Sequence, residues 1–514
     1  MDERLQKLRQ KRELALQGGG AKRIDAQHAQ GKLTARERLA VLLDEGSFQE
    51  LGALATHQNT DFGMADKKFP GDGVVTGFGK VNGRRVAVYA QDFTVLGGSF
   101  SQVQSNKICR LQDLAMESGI PLIGLNDSGG ARVQEGVKSL AAYGEVFFRN
   151  VAASGVIPQL SLIMGPCAGG AVYSPALTDF VIMVDGSANM FLTGPEIIKA
   201  VTGEEVTSED LGGAWVHNAR SGVAHFESAS DQEALELAKL VLSYLPQNNS
   251  QDPPSLTPYD DPYRAEAALD SIIPQDDNQP YDMRDVLDLV FDRESVLEVH
   301  SQFAPNAVTA FARLDGHSIG IVANQPSVLS GALDIDSSDK ISRFISLCDM
   351  FNIPLVTFVD CPGYLPGVNQ EYGGVIRHGA KIIYAYSQAT VPKLCVVTRK
   401  AIGGSYVALS SKQMGNDIAL AWPSAQIAVM GAEGASKLLN RKKPNQDLKE
   451  TLSDTEFIAE YREKFFNPYN AADVGQIDEV IEPAETRLRL IQSLEVLRTK
   501  VQTGLPKKHG LFPV

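Results

Sequence analysis

Two glycine-centred loops occur twice in this chain, and they are the residues best placed to do chemistry. Asp127-Ser128-Gly129-Gly130-Ala131 and Ala168-Gly169-Gly170-Ala171 form the first pair; Asp360-Cys361-Pro362-Gly363-Tyr364 and Ile402-Gly403-Gly404-Ser405 form the second. In the first pair the apolar run Gln159 to Met164 leads into Gly169-Gly170, and a helix-competent segment follows. Glycines at a helix start leave N–H groups uncovered by any Cβ and without an intrahelical acceptor, and the helix dipole adds positive character there. A second N–H, from Gly130 or Ala131 with Gly129 shaping the turn, completes an oxyanion hole. Each donor in such a hole is worth about 2.7–4 kcal/mol of transition-state stabilisation. Gly404 and Ser405, with Gly363 or Tyr364, stand in the same relative places in the second pair. The competing reading is that these glycines only let helix and strand pack closely. Their recurrence at matched separations, 42 residues from Asp127 to Gly169 and 43 from Asp360 to Gly403, favours the chemical one.

Other catalytic patterns are missing or weak. Neither loop carries the Gly-Lys-Ser/Thr of a phosphate loop or the Gly-x-Gly-x-x-Gly of a dinucleotide site. The eight histidines are scattered, without a His-Glu-x-x-His pair. His378, close in sequence to Glu371 and Arg377, reads as a structural hydrogen-bonding residue. Ser128 lacks the Gly-x-Ser-x-Gly setting of a hydrolase nucleophile. With no side-chain base in evidence, two oxyanion holes need a base from elsewhere, and a cofactor can supply one.

The elements that hold these loops repeat with them. Ile120-Pro121-Leu122 returns as Ile353-Pro354-Leu355 at an offset of 233, Lys107 as Lys340, and after a one-residue insertion the offset becomes 234. A period this long is a duplicated domain rather than a solenoid repeat. Each copy opens with a hairpin, turned at Asn82-Gly83 and at Asp315-Gly316. A helix follows, Ser105 to Ser118 and Ser338 to Asn352, and then an apolar strand, Pro121 to Leu125 and Pro354 to Val359. This alternation predicts an α/β protein. The expected layout is an N-terminal domain over 1–245, a Pro- and Asp-rich linker over 246–282 and a C-terminal domain over 283–514, with a charged arm or packing helix before about residue 45.

The chain has 514 residues, 43% hydrophobic and 21% charged, with a net charge of -14. That is a globular composition with an ample core, and the acidity argues against nucleic acid as a partner. Five separated cysteines with no Cys-x-x-Cys pair indicate neither a zinc site nor a disulfide framework. A charged beginning without an apolar signal region points to the cytoplasm. From Asn150 to Thr178 there are 29 residues without an acidic or basic side chain, but three prolines and four glycines break them, so a buried strand, loop and helix is expected rather than a membrane span.

Several ordered motifs carry a family resemblance: Gly31-Lys32-Leu33-Thr34-Ala35-Arg36-Glu37-Arg38-Leu39, the loop Asn126 to Gly136, Gly165 to Pro175, Asp334 to Lys340, Arg377-His378-Gly379-Ala380-Lys381 and Ala421-Trp422-Pro423-Ser424-Ala425. Over essentially its whole length the chain resembles the carboxyltransferase β subunits of biotin-dependent acyl-CoA carboxylases, of the propionyl-CoA carboxylase type. Close relatives are the methylmalonyl-CoA transcarboxylase core subunit and the methylmalonyl-CoA decarboxylase α subunit. The resemblance implies two tandem crotonase-like domains with a β-β-α superhelix, and a homohexamer with active sites between subunits. It implies that the Gly169-Gly170 hole holds an acyl-CoA thioester oxygen and the Gly404-Ser405 hole the ureido oxygen of biotin, whose freed nitrogen takes the α-proton while the enolate attacks CO2. One departure concerns specificity: Val407 stands where propionyl-type enzymes commonly carry Asp after Gly-Gly-Ala-Tyr, and an apolar residue there resembles the transcarboxylase and decarboxylase relatives. Neither a biotinylation sequence nor an ATP-binding glycine loop is found. Biotin is therefore expected on a separate carrier protein, with any biotin carboxylase also on another chain, and no metal is expected here. A catalytically idle acyl-CoA-binding scaffold is the reading from a different class.

Overall fold

Asn82 and Gly83 both have positive φ, 49° and 79°, and so do Asp315 and Gly316, 51° and 77°. Two left-handed residues in succession give the turn whose twist matches a two-stranded hairpin, and each copy builds its sheet outward from one. The computed structural model describes residues 2–258, 260–439 and 453–514, divided into two units, Met1–Asp252 and Pro253–Val514.

In the first unit, β1 (Gln49–Leu51) pairs with the hairpin β2 (Val74–Val81) and β3 (Arg84–Gln91); then come β4 (Leu122–Ser128), β5 (Gln159–Ala168), β6 (Phe180–Val184), β7 (Asn189–Phe191) and β8 (Phe226–Ser228). Their order is β1-β2-β3-β4-β5-β6-β8, with β7 beside the end of β5. Pairing is antiparallel as far as β3 and parallel beyond it. The second unit has β9 (Leu297–Val299), β10 (Ala307–Leu314), β11 (His317–Asn324), β12 (Leu355–Cys361), β13 (Lys393–Ile402), β14 (Ile418–Ala421), β15 (Gln426–Ala428) and β16 (Glu479–Val480). It repeats the pattern, β9-β10-β11-β12-β13-β14-β16, with β15 beside β13.

The crossover helices start earlier than their apolar periodicity suggests, because caps set the boundary. Ser101 accepts from the Gln104 N–H and starts the helix Gln102–Ser118, and an Asp334/Ser337 capping box starts Ile335–Met350. From each of these helices one buried lysine reaches back into the hairpin region. Lys107 Nζ donates to Gly71 O (3.1 Å) and to Val74 O. Lys340 Nζ donates to Ala304 O (3.4 Å) and Ala307 O (2.7 Å), which are 233 residues further on, and also to His300 O and Phe303 O. The duplication thus extends to individual hydrogen bonds.

The charge-free stretch resolves into the end of the helix Val137–Ala153, strand β5 and short helical turns. Among the described residues no helix is long and apolar enough to cross a membrane. Much of the segment expected as a linker packs onto the second unit: Leu256 N–H donates to Gly316 O (2.9 Å), and Leu269 and Tyr281 join the core. That core lies between one face of the second sheet and the helices Met283–Val290 and Thr486–Leu497, with Trp422 fully buried in it.

Candidate functional site

The strand that feeds each first loop slips in its ladder just before the loop. The β4–β5 register shifts between Asn126 and Ser128, and the β12–β13 register between Val359 and Cys361. Such a bulge re-aims the chain as it leaves the sheet. Beyond it, each loop makes a single parallel bridge to an upstream segment. Phe100 N–H donates to Gly130 O and Arg132 N–H to Phe100 O, both at 2.8 Å; in the second unit Leu333 N–H donates to Gly363 O (3.1 Å) and Leu365 N–H to Leu333 O (2.7 Å).

The residue between the two bonds faces away from the bridge. Ala131 and Tyr364 therefore have N–H groups that, among the described residues, donate to no protein acceptor. Of the flanking glycines, Gly129 donates to Gly97 O (2.9 Å) and Gly130 to Ser128 Oγ (3.2 Å). In the first unit this leaves Ala131 of the two alternatives, because the Gly130 N–H is taken by Ser128; in the second unit Tyr364 stands in the place of Ala131, and Gly363 N–H likewise has no hydrogen-bond acceptor among the described residues. The glycines shape the turn: Gly130 has φ 97° and Gly363 φ 139°.

The second loops converge on the first. A Cβ on Gly130 would lie 3.2 Å from Ala168 O, and β4 and β5 pair again after the slip, Ser128 with Cys167. Gly169 and Gly403 take positive φ, 63° and 68°, and after them the chain coils into Gly169–Val172 and Gly404–Ala408. Gly403 N–H is used by Ala428 O (2.9 Å), whereas those of Gly170, Gly404 and Ser405 have no protein acceptor among the described residues. A Cβ on Gly404 would meet nothing within 4 Å, and one on Gly170 would only touch the Tyr143 ring at 3.5 Å. The first run is a turn of four residues continued only by Tyr173–Ala176, and the second is five residues long, so local N–H groups, not a long helix's macrodipole, provide most of the positive potential.

The side chains around both loops stay protonated at neutral pH. Burial pushes the Cys167 thiol up to about 12, Cys361 up to about 11, and Tyr364 and Tyr406 up to about 12. Neither thiolate nor phenolate is available as a base. Ser128 Oγ donates to Gly98 O (2.7 Å), which marks it as structural. His378 Nδ1 lies 2.8 Å from Asp339 Oδ1, which Lys381 also binds (2.7 Å), so it ties two helices together. Among the described residues, no group of three His, Cys, Asp or Glu is placed to hold a metal. Val407 lies one turn past Gly404 and is 39% exposed.

Sequence reasoning missed the ions beneath the loops. Arg132 Nη1 grips both oxygens of Asp72 (2.8 and 2.9 Å), each residue buried. Asp127, fully buried, receives Lys32 Nζ (3.0 Å to Oδ1), Arg38 Nη1 (2.9 Å) and Gln27 Nε2 (3.2 Å). Lys32 and Arg38 lie in one of the motifs that carry the family resemblance, the only sequence signal that pointed at them.

The description "Carboxyl transferase domain" matches residues 26–512. The chain belongs to the carboxyl transferase family. It is 55% identical over its full length to the propionyl-CoA carboxylase carboxyltransferase subunit of Haloferax mediterranei, covering 100% of both chains. It is 53% identical to the methylmalonyl-CoA decarboxylase α subunit of Veillonella parvula, covering 100% of this chain and 99% of that one. With the methylmalonyl-CoA carboxyltransferase 12S subunit of Propionibacterium freudenreichii subsp. shermanii it shares 52% identity, over 100% and 98%. Among solved structures, the transcarboxylase 12S hexamer with methylmalonyl-coenzyme A and methylmalonic acid bound superposes with a TM-score of 0.97 at 52% identity, covering 100% of this chain and 99% of that one. The fold is therefore the family's two-domain, crotonase-like α/β fold, and the chain is a carboxyltransferase subunit.

Proposed function

We propose that this carboxyltransferase moves a carboxyl group between biotin, carried on a separate protein, and the α-carbon of a short acyl-CoA, propionyl-CoA to methylmalonyl-CoA above all. The observation that carries the reading is the repeated pair of amides that have no protein acceptor among the described residues, Ala131 with Gly170 and Tyr364 with Gly404. Each pair sits beside a glycine whose missing Cβ leaves room for a ligand oxygen.

The Ala131 and Gly170 N–H groups hold the thioester oxygen, and their contact strengthens as that oxygen gains charge when the α-proton leaves. The Tyr364, Gly404 and Ser405 N–H groups hold a ureido oxygen. Biotin, when bound there, supplies both the carboxyl group and, through its ureido nitrogen, the base. This matches the protonated thiols and phenols around both loops, none of which serves as one. The hexamer assembly of the solved transcarboxylase 12S relative supports a homohexamer here; sites formed between subunits, and a biotin carboxyl carrier or biotin carboxylase subunit as partner, are what membership of the family implies. The same exchange run in reverse, with carboxyl leaving methylmalonyl-CoA, is the second reading, and it draws on the decarboxylase and transcarboxylase relatives; Val407 bears on the choice of acyl chain.

The test is transfer of labelled carboxyl from methylmalonyl-CoA to free biotin by the purified chain. Label in carboxybiotin with stoichiometric propionyl-CoA is expected. No transfer at high enzyme concentration, with the hexamer intact, overturns the proposal and leaves an acyl-CoA-binding scaffold.

A further inference from the structure

The two copies place the same carboxylate under the same loop and neutralise it from different parts of the chain. Asp127 is the last residue but one of β4, as Asp360 is of β12, and both are fully buried. In the second unit the cation comes from the neighbouring strand: Arg399 Nε donates to Asp360 Oδ2 (2.9 Å), and Lys400 N–H donates to Oδ1 (3.0 Å). The residue of the first unit that aligns with Arg399, at the offset of 234 that relates Cys167 on β5 to Ala401 on β13, is Gly165. A Cβ there would lie 2.0 Å from Asp127 Oδ1 and 2.6 Å from Lys32 Nζ. Gly165 thus vacates the strand position, and the N-terminal segment fills it.

Arg38 is the centre of that filling. With none of its side chain exposed, it donates to Asp127 Oδ2 (2.9 Å), to Asp231 Oδ2 (2.7 Å) and to Met164 O (3.0 Å). Asp127 lies four residues before Ala131, and Met164 lies on β5 before the turn to Gly170. One rigid fork therefore spans the two strands whose continuations carry the two donors, and Asp231 together with Leu33 N–H (2.9 Å) anchors it from outside the sheet. The planar guanidinium makes this geometry; a lysine cannot reach three acceptors in fixed directions.

We propose that Arg38 is a positioning residue for the acyl-CoA hole. It sets the spacing of the Ala131 and Gly170 N–H groups, so the N-terminal segment tunes the acyl half-site while the biotin half-site, braced by its own Arg399, is independent of it. The proposal rests on the reading of the first hole given above. A shift of about 1 Å in such a constellation costs about 10²-fold in rate.

The full-length enzyme is compared with Arg38→Lys, and with Asp231→Asn in case the lysine variant does not assemble. Three quantities are read: kcat, the KM for free biotin, and the thioester carbonyl stretching band of bound propionyl-CoA by difference infrared spectroscopy. A variant that elutes as the wild type does is expected to lose about 10²-fold in kcat for Arg38→Lys, and less for Asp231→Asn. The KM for biotin should be unchanged, and the carbonyl band should move back toward that of free propionyl-CoA. An unshifted band with wild-type kcat in an assembled variant overturns the proposal, and so does an equal rise in the KM for biotin. If the wild-type band is itself unshifted on binding, the first hole fails, and that outcome is distinct from failure of the brace.

Discussion

Gly404→Ala separates a glycine kept for packing from one kept for a ligand. Gly404 is not in the left-handed region, and a Cβ there meets no heavy atom within 4 Å. The methyl group therefore imposes neither strain nor a clash. By narrowing the unfolded ensemble, a compatible Gly→Ala change stabilises by about 0.4–1 kcal/mol, a rise of about 1–4 °C in the Tm of a unit of this size. The N–H itself survives; what the methyl takes is the room in front of it. An oxygen that must come within about 2.9 Å of that N–H is pushed aside, and losing one such donor costs about 10²–10³ in kcat. Carboxyl transfer to free biotin should thus fall at least about 10²-fold while thermal stability holds or rises. A rate within a few-fold of wild type would show that nothing docks at Gly404. A fall in Tm would show that the glycine is structural. Gly170→Ala should behave alike, its methyl in ordinary contact with Tyr143.

Gly403→Ala should do the opposite: at φ 68° and ψ -143°, backbone that is essentially glycine's alone, an alanine costs about 1–3 kcal/mol, read as a Tm lower by about 2–12 °C. Val407→Asp should change the ratio of propionyl-CoA to acetyl-CoA turnover, and an unchanged ratio would show that this position does not select the acyl chain. Lys340→Met strips the donor from four carbonyl oxygens and should cost at least about 2 kcal/mol, measured by denaturant unfolding. Burial draws Lys340 down to about 7, against about 10.4 in an unfolded chain. Between those values the unfolded chain holds the proton more tightly, so the Lys340 contribution is complete above the upper value and is lost as pH falls toward the lower. The stability difference between wild type and Lys340→Met should therefore grow from pH 7 to pH 10, and a flat difference refutes the assignment.

The hairpins were legible because a dipeptide encodes them: Asn82-Gly83 and Asp315-Gly316 accept left-handed backbone that few other pairs tolerate. The loops were legible as places and not as donors. Only the bridges from Phe100 and Leu333 show that the amides of Ala131 and Tyr364 are turned outward and that Gly130 is capped by Ser128. The helix dipole invoked for Gly169-Gly170 and Gly404 lost weight, since apolar spacing could not tell a full helix from a single turn. Arg38 was invisible to spacing because its partners lie 89 and 193 residues away, and buried ion pairs at such separations leave no periodicity.

The two copies also show which parts of the site are constrained. Conserved between them are the features that fix backbone: the paired hairpins, the lysine struts to carbonyls 233 residues apart, and the slip in register just before the loop. What differs is side-chain chemistry at equivalent places, Ser128 against Cys361, Ala131 against Tyr364, Gly165 against Arg399. If the site worked through side chains, these exchanges would abolish it in one copy or the other. A site made of main-chain N–H groups tolerates them, because every residue other than proline supplies the same donor once the backbone is held. On the proposed function, that tolerance is what lets one duplicated scaffold present matching holes to two chemically different oxygens, a thioester and a urea, and leaves the surrounding side chains free to tell them apart.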